Sequence, residues 1–517
     1  MAETSRESAP VQAPESSAGL GKDLRRIGAH SSIYTLASLL SRGLNFALML
    51  VYTRFMMPDE YGALAISLTV GALLSLILGL ALDAAVTQMY FKYPSPEERR
   101  ALYGSLLLFL LVVPGAAVLA LEGLGELGLL NLLPGVPFRP YLRMVLWTSY
   151  AGTFVTVLES IYLSSQRPVA YLLMSGAHAL LNLALSVGLV LVLRKGVAGA
   201  LLASLVATVV LAIASIVLLS RAGGLRMSWT RLKEALKFSV PVVPHMVSHW
   251  ALNQSDRYVL GRYASTSQIG VYTVGFQFAM PVSVFIGAVS NAIFPIMNAR
   301  LGDERRRHEV PALGTYTLFA FTFVGLGAAL VGGDLVRWWT PPAYHPAVAV
   351  VPWVVLGCLF QGLNTVWSRG TWFSMKTAWV PVLTVLAATL NVGLNLWLIP
   401  VWGVLASAIN MAVGYAVLAL LQGWLSVRLH PIGWEYARWL TLALAAGACF
   451  ALGTWFDGGH LAVNLAVKSA ITILVFPALL YVVPFLTPSE KEFIRSIPGR
   501  FRAIRLVSPS RSQETRA

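Results

Sequence analysis

Charge is what this 517-residue sequence has least of: Asp, Glu, Lys and Arg together make 12% of it, against 57% hydrophobic residues. Ordinary soluble domains carry about twice that charged fraction, so a water-soluble fold is excluded. Cysteine is nearly absent too. Cys358 and Cys449 are the only two, which rules out a disulfide framework and a thiolate metal site, and both fall inside apolar runs where a thiol packs. No Walker A, G-x-S-x-G, H-E-x-x-H or paired Asp-x-Asp pattern occurs. Nucleotide hydrolysis by the P-loop route and the hydrolase chemistries tied to the other motifs are thereby removed. Gly123, Gly125 and Gly128 satisfy G-x-G-x-x-G, but they follow an apolar helix rather than a strand, the wrong context for a dinucleotide. Met1 to Gly21 lacks the apolar stretch of a signal peptide and, rich in Ser, Ala, Glu and Pro, reads as a disordered tail.

What is present is oil-soluble. Mean hydropathy is +0.69, and apolar runs of about 20 residues, the length that crosses a bilayer, recur along nearly the whole chain. With no water in the hydrocarbon core to satisfy open backbone, each crossing has to be helical. The expectation is an all-α integral membrane protein of 14 transmembrane helices. Its predicted parts are a disordered cytoplasmic tail (1–30), a six-helix lobe (31–219), a basic linker (220–237), a second six-helix lobe (238–425), two C-terminal helices (438–486) and a basic tail (487–517).

Two lobes are expected because the chain repeats. Arg54 to Ile66 reads RFMMPDEYGALAI and, 208 positions on, Arg262 to Thr273 reads RYASTSQIGVYT. At that one offset Ser31 matches Ser239, Asn45 matches Asn253, Arg54 matches Arg262 and Gly62 matches Gly270, with Phe55 opposite Tyr263. Bundles related by internal symmetry are a common architecture of transporters.

Charge asymmetry sets the orientation. Alternating the loops across the membrane puts 28 of the 38 Lys and Arg on the side of the termini and nine on the other, with Arg42 inside the first helix. Both termini are predicted cytoplasmic. A net charge of +15 is explained by topology, with no nucleic acid as partner.

Polarity within the spans is organised. At 100° per residue, Ser31, Tyr34, Ser38, Arg42 and Asn45 fall on one arc of the first helix, and His245, His249, Asn253 and Asp256 on one arc of the seventh. A charge at bilayer depth costs about 2.5–3.5 kcal/mol on insertion scales, so Arg42 has to face protein or water. Such stripes predict a wet cavity, and single residues among them also suit hydrogen-bonded helix contacts. Further stripes are Thr153, Thr156 and Glu159; His178, Asn182 and Ser186; Gln361, Asn364 and Ser368; and Thr384, Asn391 and Asn395. Asp83, Glu159, His178, His245, His249 and Asp256 are candidates for proton coupling. His245 and His249 have i, i+4 metal spacing but no third ligand, so no metal or other cofactor is expected. Pro241 and Pro244, opening the seventh helix, are candidate hinges, as are Pro281 and Pro295 in the eighth.

The run LSRGLNFALMLVYTRFMMPDEYGALAI from Leu40 to Ile66, with LNQSDRYVLGRYASTSQIGVYTVGF from Leu252 to Phe276, resembles the signature of the Wzx-type polysaccharide flippases. These belong to the multidrug/oligosaccharidyl-lipid/polysaccharide exporter superfamily, and the similarity covers about Ile27 to Phe485. The resemblance implies a MATE-like fold in the bacterial inner membrane and a transporter rather than an enzyme. It would flip an undecaprenyl-diphosphate-linked oligosaccharide outward by alternating access, beside a polysaccharide polymerase and a chain-length regulator. By the same resemblance Arg42, Asn45 and Asn253 would line the path of the diphosphate sugar, with Arg369 and Lys376 drawing the head group in. Two negative charges leaving an inside-negative cell gain roughly 4–5 kcal/mol at about 100 mV, enough to give export a direction. A lipid II flippase and a drug or cation exporter share the implied fold and stay open as alternatives. A membrane glycosyltransferase or polymerase would need acidic or arginine-rich outer loops, which the sequence lacks.

Overall fold

The computed structural model describes residues 40, 42–129, 135–376, 378–456 and 458–492, and no strand occurs among them. Backbone groups that face hydrocarbon must be bonded within their own segment, and the chain obeys this with helices throughout. They are α1 (42–55), α2 (Pro58–Gly79), α3 (Leu82–Lys92), α4 (Pro96–Glu126), α5 (Arg143–Ser164), α6 (Pro168–Ser186), α7 (Gly196–Gly223), α8 (Trp229–Ser239) and α9 (Val243–Tyr263). There follow α10 (Thr266–Leu301), α11 (Val310–Trp339), α12 (Val351–Trp367), α13 (Arg369–Phe373), α14 (Trp379–Trp402), α15 (Val404–Leu429), α16 (Tyr436–Trp455), α17 (Leu461–Ala470) and α18 (Phe476–Val482).

Ten helical spans among the described residues are long and apolar enough to cross a membrane, or eleven if the bent pair Pro342–Ala349 and Val351–Phe373, broken by 44°, counts as one. The sequence-based expectation of 14 adds three that fall short of that measure. One is the first, whose expected residues 31–39 and 41 lie outside the described residues; the others are α5 and α9, whose stripes of Thr, Ser, His and Asn dilute their apolarity. The expected tails lie outside the described residues, apart from 487–492. Within the expected basic linker the structure holds α8, an amphipathic helix that buries Leu232 and Ala235.

The described residues divide into two compact units, within the bounds Met1–Val51, Leu74–Leu130 and Phe138–Val243 for the first and Tyr52–Leu73, Asn131–Pro137 and Pro244–Ala517 for the second. The repeat assigns 52–73 to the first lobe, whereas in the structure it groups with the second unit. The cause is a helix crossing between the two repeat glycines. A methyl group placed on Gly62 of α2 would lie 1.8 Å from the Thr266 carbonyl oxygen, and one on Gly270 of α10 would lie 1.9 Å from that of Pro58. Pro58 and Thr266 are themselves 208 positions apart. The contact is therefore reciprocal, glycine against glycine across equivalent turns, and only residues without Cβ allow it.

In the first unit the core runs from Leu82, Val86 and Tyr93 through Leu102, Leu106 and Leu110 to Phe154 and Leu158. The linker helix α8 is fastened to this unit. Arg231 reaches Glu98 at 2.6 Å and stacks 4.2 Å over the Tyr93 ring, while Glu234 accepts from Lys92 at 2.5 Å and from the Tyr93 hydroxyl.

In the second unit the last helices are tied to α11 at both ends. Lys468 meets the buried Asp334 at 2.6 Å, with Asn464 donating to the same carboxylate at 3.4 Å. At the opposite end Arg438 bridges Glu435 at 2.9 Å and Glu490 at 3.0 Å, and Glu435 accepts from Thr315 at 2.6 Å. Burial pushes the Glu490 carboxyl up, but bonds from Tyr316 and the Thr487 N–H, together with Arg438, outweigh it and hold the group below the ordinary carboxylate range. A carboxyl depressed on folding stabilises above its unfolded pKa, about 4.3, and loses that contribution as pH falls through the folded value. Purified wild type is expected to melt above Glu490→Gln at pH 7, with the gap closing below about pH 4; a gap independent of pH would rule this linkage out.

Candidate functional site

Polar faces on otherwise apolar helices are the candidates for a transport path, and burial and bonding show which of their side chains are already engaged by protein. In the first unit Arg42 and Asn45 are both exposed, on the first and second turns of the described part of α1. Arg42 forms no ion pair among the described residues, so its charge is free for a ligand.

A break in the helix lies in the same unit. Between α2 and α3 two successive non-glycine residues, Leu80 and Ala81, adopt φ of 48° and 53°, a left-handed conformation costing about 1–2 kcal/mol per residue. Discontinuous helices at membrane depth recur at substrate sites because the break exposes backbone polar groups. Asp83, half-buried, sits in the first turn after the break, and Gly79 just before it packs against Thr153 of α5. Glu159, two turns further along α5, is half-buried and makes no hydrogen bond or ion pair among the described residues. Thr156 on the same face is exposed and donates to the Thr153 carbonyl at 3.0 Å.

His178 is placed differently. Its Nε2 lies 3.1 Å from Thr208 Oγ1, whose single proton goes to the Ser204 carbonyl at 2.7 Å. The imidazole must then be the donor to Thr208, which assigns the proton to Nε2 and makes His178 a bridge between α6 and α7.

On α9 the expected arc divides along its length. His249 is exposed and His245 half-buried. Asn253 donates to the His249 carbonyl at 2.8 Å and accepts from the Tyr415 hydroxyl at 2.8 Å, which ties α9 to α15. Asp256 is buried and accepts from the Tyr272 hydroxyl and from the Arg257 N–H at 2.8 Å. Neighbouring Arg257, absent from the expected set, is buried as well. Its guanidinium lies 4.3 Å over the Phe276 ring and donates to Gln254. The sequence signal for this pair was a charge of each sign, side by side, in a helix facing hydrocarbon.

The stripe on α14 is a correction. Thr384, Asn391 and Asn395 were expected to line a wet cavity, but all three are buried. Asn391 donates to the Asn410 carbonyl at 2.8 Å, Asn410 to Asn395 at 3.0 Å, and Asn395 to Asn391 at 3.1 Å. Amide side chains carry both donors and acceptors, so they bond to one another across α14 and α15. Gln361 likewise accepts from Ser283 at 3.0 Å, joining α12 to α10.

Arg369 is buried at 8% exposure, stacked 3.6 Å over the Phe294 ring and donating to the Thr365 carbonyl at 3.0 Å. Lys376 is exposed. Pro241 lies in a 3-10 turn, Val240–Val242, that joins α8 to α9 in helical geometry, and Pro244 in the first turn of α9, while Pro281 and Pro295 lie inside α10. No group of three or more His, Cys, Asp or Glu is placed to hold a metal ion among the described residues.

A family model described as Polysaccharide biosynthesis protein matches residues 27–299, more than half of the chain. The chain belongs to that family. This family member is 26% identical over 331 residues to the succinoglycan biosynthesis transport protein ExoT of Rhizobium meliloti, across 61% of its own length and 62% of the relative's. It is 27% identical over 168 residues to the probable flippase AglR of Haloferax volcanii, covering 30% of this chain and 33% of that one. Among solved structures it superposes on the lipid II flippase MurJ, in an inward closed conformation, with a TM-score of 0.71 at 15% identity, over 87% of this chain and 98% of that one. An inward-facing multidrug resistance MATE transporter matches with a TM-score of 0.62 at 16% identity, over 75% and 94%. At such identities the likeness establishes the fold: all-α, membrane-spanning and MATE-like.

Proposed function

We propose that this chain is a flippase carrying an undecaprenyl-diphosphate-linked oligosaccharide from the cytoplasmic to the periplasmic leaflet of the inner membrane by alternating access. The observation that carries the reading is the exposed Arg42, without an ion pair among the described residues, on a helix otherwise built for hydrocarbon, in a member of a polysaccharide biosynthesis family. An uncompensated cation at that depth is costly unless an anion or water meets it, and a diphosphate supplies the anion. Asn45 beside it offers hydrogen bonds to a sugar or phosphate. Lys376, exposed near the end of α12 and α13, suits capture of the head group, while Arg369 is engaged by Phe294. For proton coupling, Glu159 and His249 are the best placed of the candidates: Glu159 has no side-chain partner among the described residues and His249 is exposed with Asn253 3.3 Å from its Nδ1, whereas Asp256 is buried and His178 bridges two helices. Both termini would be cytoplasmic, and a polymerase and a chain-length regulator would act on the delivered repeat unit.

Deleting the gene is expected to leave the complete lipid-linked repeat on the inner leaflet and to abolish the polymer, with cells still viable. Death from arrested wall synthesis would point instead to lipid II as cargo. Restored ethidium efflux, without restored polymer, would point to drug export.

A further inference from the structure

A second polar site lies at one end of the first unit, away from the stripes described above. Two chain turns and a helix end meet there: the α3–α4 turn, the α5–α6 turn and the end of α7. They enclose a pocket of about 460 Å³ lined by Arg99, Arg100, Arg167 and Arg221, with Tyr90, Tyr103 and Tyr162 between them. No acidic side chain among the described residues lines it. Its inner wall is apolar, made by Leu158, Ile161, Leu218 and Leu219.

Four guanidinium groups in one small pocket repel one another unless something negative joins them. Arg99 is fixed in place: its Nε donates to the Tyr93 carbonyl at 2.7 Å and its guanidinium carbon lies 3.9 Å from the Tyr90 ring centre. Arg100, Arg167 and Arg221 are exposed, and none forms an ion pair among the described residues. The nearest carboxylate in sequence with a partner, Glu98, is already held by Arg231 at 2.6 Å. The pocket also receives the starts of two helices, the 31-residue α4 through Pro96 and the 19-residue α6 just after Arg167. Helix N-termini carry partial positive charge; that of α6, with no acid in its first turn, adds to the field of the arginines, whereas Glu97 and Glu98 offset that of α4. Guanidinium groups match phosphate oxygens in geometry as well as charge.

Position decides the rest of the ligand. The pocket is at the ends of spans, where lipid head groups lie, and its floor is aliphatic. We propose that it binds the phosphate of an anionic phospholipid from the surrounding leaflet, with Arg100, Arg167 and Arg221 on the phosphate and the Leu158, Ile161, Leu218 and Leu219 wall against the glycerol and upper acyl chains. The site is separate from the Arg42 face and needs no assumption about the cargo. With the termini cytoplasmic, it faces the inner leaflet.

The test is native mass spectrometry of the full-length protein released from detergent, titrated with phosphatidylglycerol and, separately, with phosphatidylcholine. Wild type is expected to hold one phosphatidylglycerol at concentrations at least tenfold below those needed for phosphatidylcholine. In R167Q/R221Q that preference should disappear, and in R167K/R221K it should largely return; both positions are exposed and unpaired, so folding is spared. Equal phosphatidylglycerol retention by wild type and R167Q/R221Q overturns the proposal. Millimolar glycerol 3-phosphate is included as a competitor. Failure to displace the lipid supports a lipid ligand, whereas complete displacement would assign the pocket to a soluble phosphate and overturn the lipid reading.

Discussion

Arg42→Ala is expected to abolish polymer export while leaving the protein at normal abundance in the membrane. Removing an exposed side chain without an ion-pair partner takes away no packing, so the loss is confined to the ligand. A charge-assisted contact to a phosphate is worth about 1.5–3 kcal/mol, a tenfold to hundredfold drop in affinity, and Arg42→Lys should restore part of it by returning the charge without the planar fork. Complementation of a deletion strain measures this through polymer yield and through membrane protein level on the same cells. Unchanged yield from the alanine variant would remove Arg42 from the path of the substrate.

Gly270→Ala is expected to be strongly destabilising for a change of a single methyl group. Its Cβ would sit 1.9 Å from the Pro58 carbonyl oxygen, and a backbone oxygen has no rotamer into which to retreat. The two helices must separate by more than 1 Å, at a cost of about 3 kcal/mol, the upper end for overpacking. Gly62→Ala should behave alike, because the contact is reciprocal. Gly287→Ala, further along α10 with nothing within 4 Å of its added methyl, is the control. It should be neutral or stabilising by about 0.5–1 kcal/mol, since glycine is a poor helix former. Thermal unfolding of the purified variants decides the matter. A Gly270→Ala protein as stable as the control would mean that the crossing is looser than described.

These two cases show where the sequence was legible. The 208-residue offset pointed to Gly62 and Gly270 as equivalent positions, and hydropathy located nearly every helix because the bilayer imposes one length and one polarity on each. Neither reading could say that the equivalent glycines touch, since a repeat specifies correspondence and not contact. Helical arcs grouped Arg42 with Asn45, and both are exposed. They misled at Asn391 and Asn395, because an amide stripe facing water and one facing another amide stripe look the same in one dimension. The buried Arg257 and the pocket arginines went unnoticed for a related reason. Arg99, Arg167 and Arg221 come from three separate parts of the chain, and each by itself reads as an ordinary topology signal. Only the fold brings them together.

The pairing of Asp334 with Lys468 also bears on how short the chain can be made. Asp334 is 3% exposed within α11, and its counter-ion arrives from α17, more than 130 residues later. A chain ended before Lys468 would keep a carboxylate in oil with no cation to neutralise it, a deficit that breaking buried pairs puts at about 3–5 kcal/mol. The last two spans therefore cannot be trimmed as an accessory: during synthesis, the second unit stays electrostatically unfinished until its final hairpin has entered the bilayer.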